Sequence, residues 1–115
     1  MLDEISGELP QEFFRELNGG VVLQERAKAH PQGQGDDLWI MGEYCRSGSL
    51  GRYINIYYGS FMQVYGGLPY EAMKNKVRHT LVHEFRHHLE SLAGQRDLEV
   101  IDAVNLARYK ERFDK

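Results

Sequence analysis

The most regular pattern of apolar residues in the chain lies between residues 69 and 93. Over this stretch apolar residues recur every three or four positions, and after Pro69 no proline or glycine interrupts them. This spacing is typical of one face of a helix. Pro69 suits the first turn of such a helix, and Gly94 suits its end. The pattern predicts one long amphipathic helix with the apolar residues Met73, Val77, Leu81, Val82, Phe85, Leu89 and Leu92 on its buried face.

Three segments before this helix have the character of β-strands. Residues 21–27 alternate weakly between apolar and polar, residues 38–45 are largely apolar, and residues 52–58 alternate clearly. Glycine and polar residues dominate the stretches between these segments, which indicates loops. We therefore expect three strands before the long helix.

Two shorter helical patterns flank these elements. Residues 9–17 carry an apolar stripe, and residues 98–109 repeat apolar residues at helical spacing. With 115 residues the chain has the usual size of one domain. We expect a single domain over residues 1–115 with an α+β fold. Its small mixed β-sheet of three to four strands packs on the long helix, with a further helix near each end of the chain.

Composition and charge exclude several classes of protein. The net charge of -3, with basic residues spread along the chain, is untypical of nucleic-acid binders. No apolar run approaches the ~20 residues of a membrane span, and the N-terminus lacks the features of a secretion signal. One cysteine, Cys45, excludes an intrachain disulfide and a cysteine-rich zinc site. We expect a soluble cytoplasmic protein that binds neither nucleic acid nor membrane; its oligomeric state stays open.

The long helix carries the sequence His83-Glu84-Phe85-Arg86-His87. Histidines four residues apart lie one turn apart on the same helix face, so their ring nitrogens can reach one zinc ion at about 2.0–2.1 Å. Glu84 is close enough to accept a proton from a water on that ion. The motif predicts zinc ligands at His83 and His87 and a general base at Glu84. The alternative is a polar helix face with hydrated histidines.

Such a zinc site needs a third protein ligand. His79 is on the same helix face but about 12 Å from the far end of the motif by helix rise, too far to share the ion. We expect His79 and His88 to support the ligands or to be exposed. Gly94 permits a sharp turn, after which Asp97 comes soonest, so Asp97 is the favoured ligand. Its alternative role is a helix N-cap. The other candidates are Glu99, Asp102 and, more distantly, His30.

Beyond these residues, most of the chain resembles the minimal zincins, a bacterial family of zincin-like metallopeptidases. The similar segments are LPQEFFRELNGGVVLQERA, LWIMGEYC, RYINIYYG and VRHTLVHEFRHHLESLAG. The family motif often continues as Gly-x-x-Asp, with the aspartate as third zinc ligand. Gly94 and Asp97 have this spacing here, although the pair begins four residues later than in the family pattern.

The resemblance implies a zincin-like fold, bound Zn²⁺ and hydrolysis of a peptide or protein substrate by a zinc-activated water. In zincins a strand beside the active helix binds the substrate along its edge. Residues 52–58 are expected to be that strand if they have an exposed edge; the alternative is an internal strand. The alternative function is a metal-binding, non-catalytic zincin-fold protein with a regulatory or assembly role.

Overall fold

A three-stranded sheet packed on one long helix forms the centre of the molecule. The computed structural model describes residues 1–31, 38–94 and 106–109. The helices are α1 (Leu2–Glu8), α2 (Tyr58–Tyr65) and α3 (Tyr70–Ala93), with a 3-10 helix at Gln11–Phe14. The strands are β1 (Gly20–Gln24), β2 (Lys28–Ala29), β3 (Trp39–Ile40), β4 (Gly42–Ser47) and β5 (Gly51–Tyr57).

The main sheet is mixed and has the strand order β1-β5-β4. Strand β5 runs parallel to β1 and antiparallel to β4, while β2 and β3 form a separate antiparallel pair. The expected α+β fold with a small mixed sheet is confirmed at this level. None of the described helices is long and apolar enough to cross a membrane.

Helix α3 forms one side of the hydrophobic core. It starts and ends within one residue of the predicted limits, and all seven apolar residues predicted for its buried face are buried. Ile54 and Ile56 of β5 are fully buried in the same core. A periodic apolar face on a helix is stable only when a partner covers it, and the sheet is that partner.

The beginning of the chain differs from the prediction. In place of a helix over residues 9–17 there is only the short 3-10 helix, and Glu16 has a positive φ of 57° that takes the backbone out of helical geometry. The helix of this region is α1, which lies earlier. Long-range ion pairs hold α1 to α3, with Glu4 2.9 Å from Lys74 and Glu8 3.0 Å from Arg78.

Two expectations about the strands are wrong. The segment 38–45 is divided at Met41, because β3 pairs with β2 whereas β4 pairs with β5. Residues 52–58 do not form a free edge, since β5 is hydrogen-bonded on both sides; the internal alternative is confirmed. Within the described part of the chain, β4 is the edge strand that lies beside α3.

The remaining differences concern the limits of three segments. Strand β1 ends at Gln24 rather than at residue 27, and Tyr58, expected at the end of the third strand, is the first residue of α2. Of the helix expected at residues 98–109, the structure describes residues 106–109, which are helical.

Candidate functional site

His83 and His87 face each other on consecutive turns of α3. Their Nε2 atoms are 3.1 Å apart, and their rings are nearly perpendicular, with centroids 4.7 Å apart. Two nitrogens bound to one tetrahedral zinc ion at about 2.0–2.1 Å would lie about 3.3 Å from each other. The donor type and the separation therefore fit two ligands of a single zinc ion.

Glu84 lies on the neighbouring side of α3, beneath Gly42 of β4. The side chain is largely buried, with 9% of the residue exposed. A Cβ on Gly42 would be 3.2 Å from the Cγ of Glu84 and 3.0 Å from the Cγ2 of Thr80. A side chain at position 42 would therefore require β4 and α3 to separate by a few tenths of an ångström. A glycine inside a strand is the sequence signal of such a close approach.

Between α3 and β4 runs an open groove of about 660 Å³. Its lining contains one histidine of the pair and the carboxylate next to it, together with side chains of β4. The complete lining is Tyr44, Arg46, Glu84, His87, Glu90 and Ser91. A candidate general base and a candidate metal ligand therefore share a surface that solvent and small substrates can reach.

His88 supports the groove from behind. It is fully buried, its Nε2 is 2.7 Å from the carbonyl oxygen of Arg15, and its Nδ1 is 2.9 Å from the hydroxyl of Tyr44. Since a carbonyl only accepts, Nε2 carries the proton and Nδ1 accepts from Tyr44. Burial lowers the pKa of His88, against a smaller opposing effect of the bond to Arg15. His88 is thus a neutral support that holds Tyr44 in the groove wall.

The described residues supply no third ligand beside the histidine pair. Among residues 1–31, 38–94 and 106–109, no three histidine, cysteine, aspartate or glutamate side chains come together as a metal site. His30 is therefore not brought to the histidine pair. His79 has a buried Nδ1 for which the described residues supply no hydrogen-bond partner. Asp97, Glu99 and Asp102 lie outside the described residues, so Asp97 stays a prediction.

Three arginine side chains lie near the C-terminal end of the groove. The guanidinium of Arg46 donates to the hydroxyl of Ser91. Glu90 is close to two guanidinium groups, at 3.6 Å from Arg86 and 3.2 Å from Arg108. The single carboxylate of Glu90 is therefore shared between two cations, and Arg46 adds a third positive charge.

A separate polar cluster occupies the opposite face of the sheet. Both carboxylate oxygens of Glu43 accept from the ammonium of Lys28, at 2.9 and 2.8 Å, and one also accepts from the hydroxyl of Tyr57 at 2.5 Å. Burial raises the pKa of Glu43, but the bonds from Lys28 and Tyr57 outweigh it and hold that pKa below its usual value. The sequence pattern does not reveal this cluster, because β2, β4 and β5 bring its members together.

Comparison with known proteins identifies a relative of nearly the same length. No protein-family model and no curated protein sequence matches the chain. Among solved structures, the chain is similar to a conserved hypothetical protein from Thermus thermophilus, with 43% sequence identity and a TM-score of 0.66. The similarity covers 83% of this chain and 92% of the other. Identity at this level over this length means that the chain belongs to the same family as the Thermus protein.

Proposed function

We propose that the protein is a zinc-dependent metallopeptidase with a zincin-like fold. In this proposal His83 and His87 bind Zn²⁺, Asp97 is the third ligand and Glu84 is the general base. The observation that carries the proposal is the pair of Nε2 atoms 3.1 Å apart on α3, with Glu84 in the adjoining groove. Two imidazoles and a neighbouring carboxylate on one helix turn are the parts that metal-assisted hydrolysis requires.

Each residue of the motif has one task in the reaction. When bound, zinc lowers the pKa of a coordinated water and polarises the carbonyl of the substrate. Glu84 accepts a proton from the attacking water and later gives it to the amide nitrogen, so that the C–N bond breaks with a neutral amine as leaving group. The largely buried position of Glu84 limits the number of competing waters around its carboxylate.

The edge of β4 is the expected binding surface for the peptide. The amide of Tyr57 donates to the carbonyl of Met41 at 2.8 Å. Because hydrogen-bonded pairs alternate along an antiparallel ladder, Gly42, Tyr44 and Arg46 then direct their own N–H and C=O groups away from β5. An extended peptide can add to such an edge by main-chain hydrogen bonds, which would place it over the groove.

Hydrolysis is tested by comparing the native chain with Glu84→Gln, both loaded with zinc. We expect equal zinc content and a loss of roughly 100-fold or more in the rate of peptide cleavage, the range for removal of a general base. Glu71→Gln is the control, since Glu71 is an exposed carboxylate in the first turn of the same helix. If the native chain binds zinc but cleaves nothing in a broad peptide library, the peptidase proposal is wrong.

The third ligand needs its own measurement. Asp97→Ala is expected to weaken zinc binding by about 10-fold or more, because even the residues behind metal ligands cost 10–100-fold when removed. Zinc affinity is measured by competition with a chromophoric chelator, with Glu99→Ala and Asp102→Ala in parallel. An unchanged affinity for Asp97→Ala would move the assignment to whichever of the other two variants loses zinc.

One observation favours the alternative of a non-catalytic metal-binding protein. All six residues that line the groove come from α3 and β4, so the described residues form one side of a cleft and supply no facing wall. A substrate held on one side loses less water and gains less binding energy than one in a closed pocket. Zinc binding without cleavage in the experiment above would be the result expected for this alternative.

A further inference from the structure

Arg46 presents a cationic group to the groove beyond the proposed catalytic residues. It is the last residue of β4 whose side chain faces α3, and it is exposed. One of its terminal nitrogens is held by the hydroxyl of Ser91. A guanidinium has five N–H donors, so this contact fixes its position and leaves donors for a ligand.

The charge of Arg46 is not neutralised by the described residues. Within residues 1–31, 38–94 and 106–109, its hydrogen-bond partner is a hydroxyl, and no carboxylate forms an ion pair with it. The nearby carboxylate, Glu90, lies instead against Arg86 and Arg108. Among the described residues the positive charge of Arg46 is therefore unpaired, which favours an anionic group of a ligand beside it.

The distance from the reacting groups follows from how β4 lies along α3. Gly42 approaches Glu84, Tyr44 contacts His88, and Arg46 contacts Ser91. Strand and helix thus advance together from the histidine motif toward the end of α3. Gly42, which lies against Glu84, is four strand residues from Arg46, which is about 13 Å. A peptide on the edge of β4 would therefore bring a group about three to four residues from the cleaved bond next to Arg46.

We propose that Arg46, held by Ser91, forms a subsite for a carboxylate of the substrate. This inference rests on the proposed function, because it identifies the class of peptide that the groove accepts. A planar guanidinium binds a carboxylate through two parallel hydrogen bonds, which gives geometric selectivity that an ammonium lacks. The carboxylate belongs either to an acidic side chain or to the free C-terminus of a peptide, and the two sources share this chemistry.

The test uses zinc-loaded Glu84→Gln, so that binding is measured without cleavage. The probes are hexapeptides of one alanine-rich frame that carry Glu or Gln at each position in turn, each with a free or an amidated C-terminus. Arg46→Gln is expected to weaken binding of the carboxylate peptides by about 5-fold, the value for a partly exposed ion pair, and to leave the neutral amidated peptide unchanged. If replacing Glu by Gln in the peptide removes the effect of Arg46→Gln, the carboxylate is that of an acidic side chain. If amidation of the C-terminus removes it, the carboxylate is that of the free C-terminus.

Three further variants make the result specific. Arg46→Lys is expected to retain only part of the preference, because it keeps the charge and loses the paired donors. Ser91→Ala is expected to reduce the preference less than Arg46→Gln, since it only releases the guanidinium. Arg26→Gln is the control: Arg26 is exposed and lies over the ring of Tyr57 on the opposite face of the sheet, 5.3 Å from its centroid, so no change is expected.

Different results would overturn the subsite proposal and the peptidase proposal. Equal binding of carboxylate and neutral peptides, or an equal loss of both in Arg46→Gln, overturns the subsite whether or not the native chain cleaves. Binding that depends on Arg46 without cleavage by the native chain keeps the subsite and removes the peptidase. When both hold, Arg46→Gln raises KM for carboxylate peptides and leaves kcat nearly unchanged, since the contact is made equally in the ground and transition states.

Discussion

Glu43 belongs to strand β4 and Glu84 lies beside it, and the two carboxylates are on opposite faces of the sheet. Glu43 accepts hydrogen bonds from Lys28 and Tyr57, and these partners belong to the strands and their loops. Glu84 lies against Gly42 on the side of α3 and lines a groove together with His87. Glu43 is paired with Lys28 and Tyr57, whereas Glu84 lines a groove that a ligand can enter.

Lys28 and Arg46, the cations on the two faces of the sheet, differ in the same way as the two carboxylates. Lys28 donates to both oxygens of Glu43, whereas Arg46 is held by a hydroxyl and keeps donors directed to the groove. A cluster whose groups satisfy one another contributes to stability and does not need a ligand. The α3 side of the sheet gathers histidines, a buried carboxylate and a cation with spare donors beside an open groove, as candidate functional sites do. This difference supports the α3 side of the sheet as the candidate site.

His87 and His88 give the largest expected effect. We predict that His88→Phe lowers the free energy of unfolding by about 3 kcal/mol, because it leaves the hydroxyl of Tyr44 and the carbonyl of Arg15 without their buried partner. His87→Phe is the matched control: His87 is exposed, and such substitutions usually change stability by less than about 0.5 kcal/mol. Urea denaturation of the metal-free variants measures both.

A similar loss in the two histidine variants would contradict the division between support and groove. For zinc affinity we expect the opposite order, with the larger loss in His87→Phe. The proposed ligand His87 is expected to be essential for it, whereas His88→Phe is expected to retain measurable affinity in the fraction that folds.

The contact between β4 and α3 is tested at Gly42. Gly42→Ala places a methyl group 3.0 Å from Thr80 and 3.2 Å from Glu84, so β4 and α3 must separate by a few tenths of an ångström. Such crowding costs about 1–3 kcal/mol. We predict a loss of about 2 kcal/mol in thermal denaturation and a fall in peptide hydrolysis, because the carboxylate of Glu84 is displaced. Gly48→Ala is the control, since a Cβ there meets nothing within 4 Å. Equal loss in both variants would show that close packing at Gly42 is not the cause.

The sequence predicts those parts of the fold that a local pattern encodes. Helix α3 has the predicted limits, because its apolar spacing is regular along its whole length. Strand β5 also has nearly the predicted limits, but its central position depends on which strands pair with it, and alternation does not encode pairing. Helix α1 packs on the core through Ile5 and forms ion pairs with Lys74 and Arg78, contacts with residues distant in sequence.

The candidate site divides in the same way. His83, Glu84 and His87 are recognisable because spacing along one helix fixes their geometry. The contacts of Arg46 with Ser91 and of Tyr44 with His88 join residues 45 and 44 positions apart, and they form only when β4 packs on α3. The candidate motif is therefore visible in the sequence, whereas the walls of the groove and the support behind it are not.

The smallest expected effect concerns Glu43, the carboxylate paired with Lys28 and Tyr57. We predict that Glu43→Gln lowers the free energy of unfolding by about 1 kcal/mol at pH 7, because the charge-assisted bonds from Lys28 and Tyr57 become weaker. The bonds from Lys28 and Tyr57 overcome the effect of burial and lower the pKa of Glu43 from 4.5 in the folded state. A group with a lowered folded-state pKa stabilises the fold above its unfolded pKa and loses this contribution as the pH falls through the folded value.

The difference between native and Glu43→Gln chains should therefore be constant from about pH 5 to pH 9 and shrink below pH 4.5. Lys28 sets the alkaline limit: its hydrogen bond to Glu43 raises the pKa of Lys28 above 10.5, so its contribution is lost only as the pH rises beyond that value. Urea denaturation of both chains at each pH gives the difference directly. Glu25→Gln, at an exposed carboxylate, is the control and should show no such profile. A difference that persists at about pH 3, well below the ordinary carboxyl pKa, would mean that the shape of the side chain, and not its charge, holds the outer face of the sheet together.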